Sequence, residues 1–585
     1  MLFQLTRRFK LVAVLVLFLS LPLLADSVTV GGKTVMRLPK AKADAVQQKV
    51  DFLLEEGADP EGIVAKKTAK GYGVYWGDKL LIEVDKEIAK DNLSTPDSLA
   101  ILWAKRLYDA VGPGLLKATP KSLVLPLGEK ASLQLSGLAE GPSTVSGGDG
   151  VVTASADGAL VTVEAKAVGQ SSLLIRRGKG KIKVPVRVKD WAGYPPSSVS
   201  IKVTGEPAPG DMIAQASLTA LAGSTKLNPG ARIKFPGTSP EVPSVPAGKK
   251  LKYRLPIEIV AGDDYFPVRA NVEVEVESIE LDLKEANLLL VSNRPERVLD
   301  DGVLLEYTFS ESEPTRLMYS HLNDSPSDRN LWVNLYNEGN EPVNVWIGSS
   351  FDGPNRNEVH TGHMAAVRFL RDLGAKAGYV VEIPPRQRFV VAQHLMNRLD
   401  LLSGFVNLQI VGEGKLRAEV HSKLAPGTNN TVNAVRLGGP FNPFKIHPHG
   451  VFAQPSFEEW IDLSSDSDEA AEPFGKAPWL IDFETGLPNT GNFGVLYKFN
   501  FVLNNKQSRE QDWEMVFQPA SGAGAGTFLV DGDILEAPFR RKGIETVLGR
   551  FRVAPGKERT VTVTTLPEAS SNYPAYLYMR PVKGR

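Results

Sequence analysis

From about residue 118 to the C-terminus, apolar and polar residues alternate in short runs broken by Gly, Pro, Asn and Asp, the pattern of half-buried strands. Before that point the period is mixed. Val28 to Val35 is strand-like, while Val46, Val50, Leu53 and Leu54 form a helical apolar stripe. Ile63 to Val74 and Lys79 to Val84 again read as strands. Thr95 as N-cap, Pro96 at the first helical position and Asp97 in the first turn open a second helix, with Leu99, Leu102, Trp103, Leu107 and Val111 on one side. The predicted fold class is mainly β: a multi-domain chain of β-sandwich and Ig-like domains with a small N-terminal α/β module. The expected division is a signal peptide over 1–25, the α/β module over 26–115, an Ig-like sandwich over 118–189 and a β-rich domain over 197–285. A sandwich carrying a histidine cluster follows over 286–450, and a C-terminal sandwich over 473–585.

The 118–189 segment carries its own motifs. Leu123-Val-Leu-Pro-Leu-Gly-Glu-Lys-Ala-Ser-Leu-Gln-Leu135 reads as two strands around a glycine turn, and Asp157-Gly158 marks a hairpin before Leu160-Val-Thr-Val-Glu164. Lys166-Ala-Val-Gly-Gln-Ser-Ser-Leu-Leu-Ile175 and Ile182-Lys-Val-Pro-Val-Arg-Val188 complete the run. This segment resembles the group 2 bacterial Ig-like domain, with its Gly-Glu turn, Asp-Gly hairpin and closing Val-x-Val strand. The resemblance implies a spacer or binding role of the kind such domains have in bacterial surface proteins and adhesins.

Further along, Val272, Val274 and Val276 alternate with Glu273, Glu275 and Glu277, giving one apolar face and one acidic face, read as a solvated sheet surface. The remaining chain reads as a degenerate repeat of strand, Asn-rich turn and strand, with copies starting at Leu331-Trp-Val-Asn-Leu-Tyr-Asn337 and Val495-Leu-Tyr-Lys-Phe-Asn-Phe-Val-Leu-Asn504. The acidic stretch Ser464 to Glu472 is read as a mobile linker between the copies.

Composition changes the picture in two ways. Arg7, Arg8 and Lys10, the apolar run Leu11 to Leu19 and the small residue Ala25 after Pro22 read as an export signal, so the expected location is secreted, periplasmic or cell-surface. No later segment reaches the ~20 apolar residues of a transmembrane helix. The chain has no cysteine, which excludes disulfides, thiolate metal sites and thiol catalysis. Lys and Arg total 67 against 67 Asp and Glu, without a basic stripe, and this disfavours nucleic acid as a partner.

Candidate chemistry is concentrated. All seven histidines lie between His321 and His449. Glu358, His360 and His363 flank the start of a short helix predicted over Met364–Leu373, and His447 and His449 share a face of an extended segment. Together they are the candidate ligands for a divalent metal such as zinc. The second candidate is aromatic. Alternation places Trp332 and Tyr336 on one face of their strand, and a hairpin through Glu338-Gly-Asn-Glu-Pro342 would set Trp346 beside Trp332 as a platform for sugar rings or a protein partner. No G-x-S-x-G, H-E-x-x-H or phosphate-loop pattern is present. The reading is an exported cell-envelope binding or scaffold protein, non-catalytic, whose partner is cell-wall polysaccharide or another envelope protein. The alternative is a metal-dependent hydrolase centred on Glu358, His360 and His363.

Overall fold

The computed structural model describes residues 25–582 except 57, 112–115, 138, 179, 237–240, 295, 426–448 and 467–468. The expected export signal and His447 therefore lie outside the described residues. The chain divides into two compact units, Met1–Trp191 with Asp263–Phe266, and Ala192–Gly262 with Pro267–Arg585.

In the first unit, Ala25–Val30 and Lys33–Pro39 pair antiparallel, and the helix Lys40–Glu55 buries Ala43, Val46, Val50 and Leu53 at helical spacing. A three-stranded antiparallel sheet of Ile63–Lys67, Tyr72–Trp76 and Lys79–Val84 follows. The Asp85 side chain accepts from the Ile88 N–H and starts the short helix Lys86–Asp91. The predicted second helix is Pro96–Val111, and its Leu99, Trp103 and Leu107 join Trp76 in one core.

The Ig-like segment is a sandwich with a separate core. One sheet runs Val152–Asp157, Leu160–Ala165, Lys130–Ser136, Lys117–Thr119. The other is built on the Gly169–Arg177 and Gly180–Trp191 pair, with Leu123–Pro126 parallel to the latter. Leu133, Val161, Val163, Ile175 and Val184 meet between the sheets, all inaccessible to solvent. Gly158 takes φ +55° in the hairpin after Asp157, a left-handed turn position that Gly fills without strain.

In the second unit, one sheet of eleven strands crosses the boundary expected between 197–285 and 286–450. Its order is Arg232–Lys234, Lys250–Val260, Val268–Ser278, Ser198–Thr204, Gly378–Ile383, Val343–Asn355, Leu401–Ile410, Thr315–Asn323, Leu288–Ser292, Gly450–Ala453, with Arg297–Val298 beside Thr315–Asn323. The helix Gly210–Ser224, not foreseen in the β-rich reading of this region, follows Ser198–Thr204, and the chain then passes through Arg232–Lys234 and Lys250–Val260 before Val268–Ser278 returns parallel to Ser198–Thr204. Val272, Val274 and Val276 are buried as predicted. The opposite glutamates are not merely solvated: Glu277 meets Lys250 at 2.8 Å, and Glu273 and Glu275 pair with Lys252. A four-stranded sheet, Gly302–Ser310, Lys415–Leu424, Arg329–Tyr336, Arg388–Met396, completes this sandwich.

The C-terminal sandwich sets Ser456–Ser464, Leu496–Asn504, Glu558–Thr565, Gly524–Val530 and Asp533–Arg540 against Ala470–Phe474, Ala575–Pro581, Gln511–Pro519 and Thr546–Val553. Ser456–Ser464 and Ala470–Phe474 belong to its two different sheets. The acidic stretch read as a linker is thus a connection inside the sandwich. Phe501, Trp513, Phe517 and Phe528 fill the core with no exposed surface.

One asparagine device recurs three times where a strand leaves one sheet for the other. The backbone N–H of Asn337 donates to Gln387 O at 2.9 Å. Its Nδ2 donates to Ile383 O at 2.9 Å and Glu341 O at 2.7 Å, and its Oδ1 accepts from Gly339 N at 2.9 Å. Asn505 repeats the set with Lys557 O at 2.9 Å, Val553 O at 3.0 Å, Arg509 O at 2.8 Å and Gln507 N at 2.9 Å. Asn323 does so with Asp400 O at 2.9 Å, Met396 O at 3.0 Å, Ser327 O at 3.0 Å and Ser325 N at 3.1 Å. All three side chains are essentially inaccessible. Each one stands in for the backbone partners that a chain loses when it leaves a ladder.

Candidate functional site

The turn at Asn337 decides the fate of the aromatic candidate. Instead of closing a hairpin, it carries the chain from the four-stranded sheet, where Arg329–Tyr336 pairs with Arg388–Met396 and Lys415–Leu424, to the eleven-stranded sheet, where Val343–Asn355 pairs with Gly378–Ile383 and Leu401–Ile410. The apolar rows of both strands, Leu331, Val333, Leu335 and Val343, Val345, Ile347, are buried as expected. They are buried from opposite sheets, because crossing satisfies both rows with one core. Trp332 and Trp346 consequently do not meet. Trp346 is buried and donates Nε1–H to Thr204 Oγ1 at 2.9 Å.

Trp332 and Tyr336 instead belong to a buried polar network. Cross-strand register sets Trp332 opposite His421, Asn334 opposite Glu419 and Tyr336 opposite Arg417. Trp332 stacks on the His421 ring with centroids 5.9 Å apart. Glu419 accepts from His421 Nδ1 at 2.7 Å, Arg417 Nη1 at 2.8 Å, Tyr336 Oη at 3.1 Å and Asn334 Nδ2 at 3.3 Å. Burial would push this carboxyl up, but His421 and Arg417 outweigh it and hold it at about 2. Glu419 and His421 stand two apart on one strand, so their shared face was readable from spacing. Their partners were not, because register with Arg329–Tyr336 lies beyond local pattern.

The metal candidate also comes apart. The helix starts earlier than predicted, at Glu358, and runs to Gly374, because Asn357 caps it by accepting from the His360 N–H at 3.2 Å. Glu358 and His360 are exposed in its first turn. His363 turns away toward the C-terminal sandwich, where its Nδ1 meets Glu568 Oε2 at 3.0 Å and its Nε2 meets Glu536 Oε2 at 2.9 Å. Thr527 Oγ1 donates to the other Glu568 oxygen at 2.5 Å. The close approach requires Gly362, since a Cβ there would lie 2.1 Å from Ala569 O. His449 lies 3.9 Å from Glu484. Among the described residues no group of three or more His, Asp or Glu is placed to hold a metal ion.

With a carboxylate on each ring nitrogen, His363 is held as an imidazolium, which has no lone pair for a metal. Burial alone would lower its pKa, but Glu568 and Glu536 together raise it to about 9. A folded value above the ordinary 6.5 means that the stabilisation is complete below pH 6.5 and is lost as pH rises through about 9. After allowing for solvent around the half-exposed Glu536, the loss is expected to be on the order of 2 kcal/mol. Urea midpoints of the wild type should fall across that window while those of His363→Gln stay flat. Parallel profiles would remove the ion pair from the account.

The other histidines stand apart. His321 is buried with Nε2 at 2.9 Å from Ser292 Oγ, and His394 is buried with its ring edge-on to Phe351 at 4.5 Å. Burial lowers the pKa of His394 to about 4. Among the described residues, the histidines therefore lie in separate surroundings rather than at one site. Glu536 and Glu568 were missed because each lies more than 170 residues from the histidine that it binds.

No protein-family profile and no curated protein matches the chain. Solved structures do. Domains 4 and 5 of the S-layer protein SbsC match at 23% identity over 12% of this chain and 50% of that one, with a TM-score of 0.12. Four cadherin domains of Drosophila N-cadherin match at 11% identity over 28% of this chain and 49% of that one, with a TM-score of 0.14. A titin tandem of three Ig domains matches at 10% identity over 53% and 97% of the two chains, with a TM-score of 0.12. No helix among the described residues is long and apolar enough to cross a membrane.

Proposed function

We propose that the protein is an exported, non-catalytic scaffold or binding protein of the bacterial cell envelope, built from β-sandwich modules. The observation that carries this reading is the use made of its most reactive side chains. His363 clamps a helix to the C-terminal sandwich through two carboxylates, and Glu419 and His421 knit neighbouring strands. Groups committed to two or more partners each serve shape and rigidity, which suits a load-bearing or presenting role. The Ig-like module with its self-contained core supports the same reading, since it can act as a spacer without borrowing packing from elsewhere.

The test is fractionation of cells producing the full chain, followed by retention of purified protein on isolated cell-wall sacculi and on extracted envelope protein. Recovery outside the cytoplasm with retention on either preparation is expected. Protein found in the cytoplasm, or passing through both preparations, would overturn the proposal.

A further inference from the structure

The second unit contains a cavity of about 520 Å³ whose floor is the outer row of the eleven-stranded sheet. Across that row Arg316 pairs in register with Asn407, and Asn407 with Gly348. Gly348 leaves room where any side chain would collide, since a Cβ there would lie 2.8 Å from the Trp346 ring. The Glu358–Gly374 helix forms one wall through Phe369 and Leu373, and Phe457 and Leu496 of the C-terminal sandwich form another.

Arg316 is the unusual member. It is 1% exposed, and its Nη1 donates to two backbone carbonyls, Pro455 O at 3.3 Å and Gly494 O at 3.2 Å. No carboxylate is bonded to it among the described residues, and its Nε finds no acceptor. The other bases that line the cavity are each matched: Lys284 with Asp282, Lys376 with Glu206, Lys498 with Glu458. Beside Arg316, Asn407 Oδ1 is also buried without a partner. A half-turn of that amide puts Nδ2 in its place, giving two donors side by side. Glu285, which also lines the cavity, offsets part of this charge without bonding to the guanidinium, so the buried Nε keeps an unfilled donor that an anion would complete.

We propose that this cavity binds an apolar molecule bearing one carboxylate, seated on Arg316 and Asn407 with its hydrocarbon part against Phe369, Leu373, Phe457 and Leu496. The volume lies in the range of small-molecule sites. Asp282, Glu285, Asp372 and Glu458 all line the cavity and disfavour a second negative charge, so a single charge fits better than a phosphate monoester. The proposal does not depend on export or envelope attachment.

The test is calorimetric titration of the full chain with octanoate and with 1-octanol. Octanoate is expected to bind at one site, at least about tenfold more tightly than the alcohol, because the alcohol leaves the guanidinium unpaired. Arg316→Met should erase that preference. Leu373→Trp should abolish binding of both by filling the cavity, and it keeps the test intact if the Arg316 variant fails to fold. No octanoate binding up to about millimolar concentration overturns the proposal. So does equal binding of acid and alcohol by the wild type, or octanoate binding unchanged in Leu373→Trp.

Discussion

Asn505→Asp is expected to cost about 3–5 kcal/mol, one of the largest losses available to a single-atom change in this protein. The substitution keeps the shape and removes the Nδ2 donor. Two backbone carbonyls, Val553 O and Arg509 O, would then face a carboxylate where they had faced N–H groups. The site is inaccessible, so water cannot intervene cheaply and the repulsion acts in a poorly screened interior. Asn505→Leu should cost less, about 2 kcal/mol, because it leaves the carbonyls unpaired without adding a charge. Urea unfolding of both variants checks the ranking. If Asn505→Asp stays within about 0.5 kcal/mol of wild type, the turn contributes no more than an ordinary surface position.

Glu419→Ala is expected to destabilise by about 3 kcal/mol or more, through a different route. It removes an acceptor shared by the buried His421, Asn334 and Tyr336, whereas Arg417 keeps Glu338 at 2.8 Å and Glu306 at 3.3 Å. The same group sets acid stability. Its folded pKa of about 2 lies below the ordinary 4.5, so its contribution is complete above pH 4.5 and is lost as pH falls through about 2. The wild type should lose on the order of 3 kcal/mol over that interval, and Glu419→Gln should not. Acid unfolding followed by near-ultraviolet circular dichroism measures this directly. Superimposable acid profiles would assign the transition to other carboxylates.

What was legible in the chain was whatever a strand or helix writes locally. The alternation at Val272 to Val276, the helix start at Pro96 and the Asp157-Gly158 turn each specify their own few residues, and the structure places each as written. The candidate sites failed where they needed pairing information. Trp332 and Trp346 are separated because Asn337 sends the chain across the sandwich, and a turn rich in Glu, Gly and Asn serves a hairpin or a crossing equally well. His363 looked like a ligand beside His360, yet its partners come from strands and loops near the C-terminus. Arg316 gave no signal at all, since one basic residue in a strand is unremarkable until both sheet neighbours and the covering helix are known.

The three asparagine turns also give the chain a chemical memory. Amide side chains hydrolyse slowly to carboxylates when the backbone is free to attack them, and the folded turns immobilise theirs. A chain held unfolded has no such protection. Hydrolysis at Asn323, Asn337 or Asn505 would leave aspartate or isoaspartate, either of which lacks the Nδ2 donor that the crossing uses. Prompt folding would therefore protect these three amides chemically as well as fix the shape of the crossings.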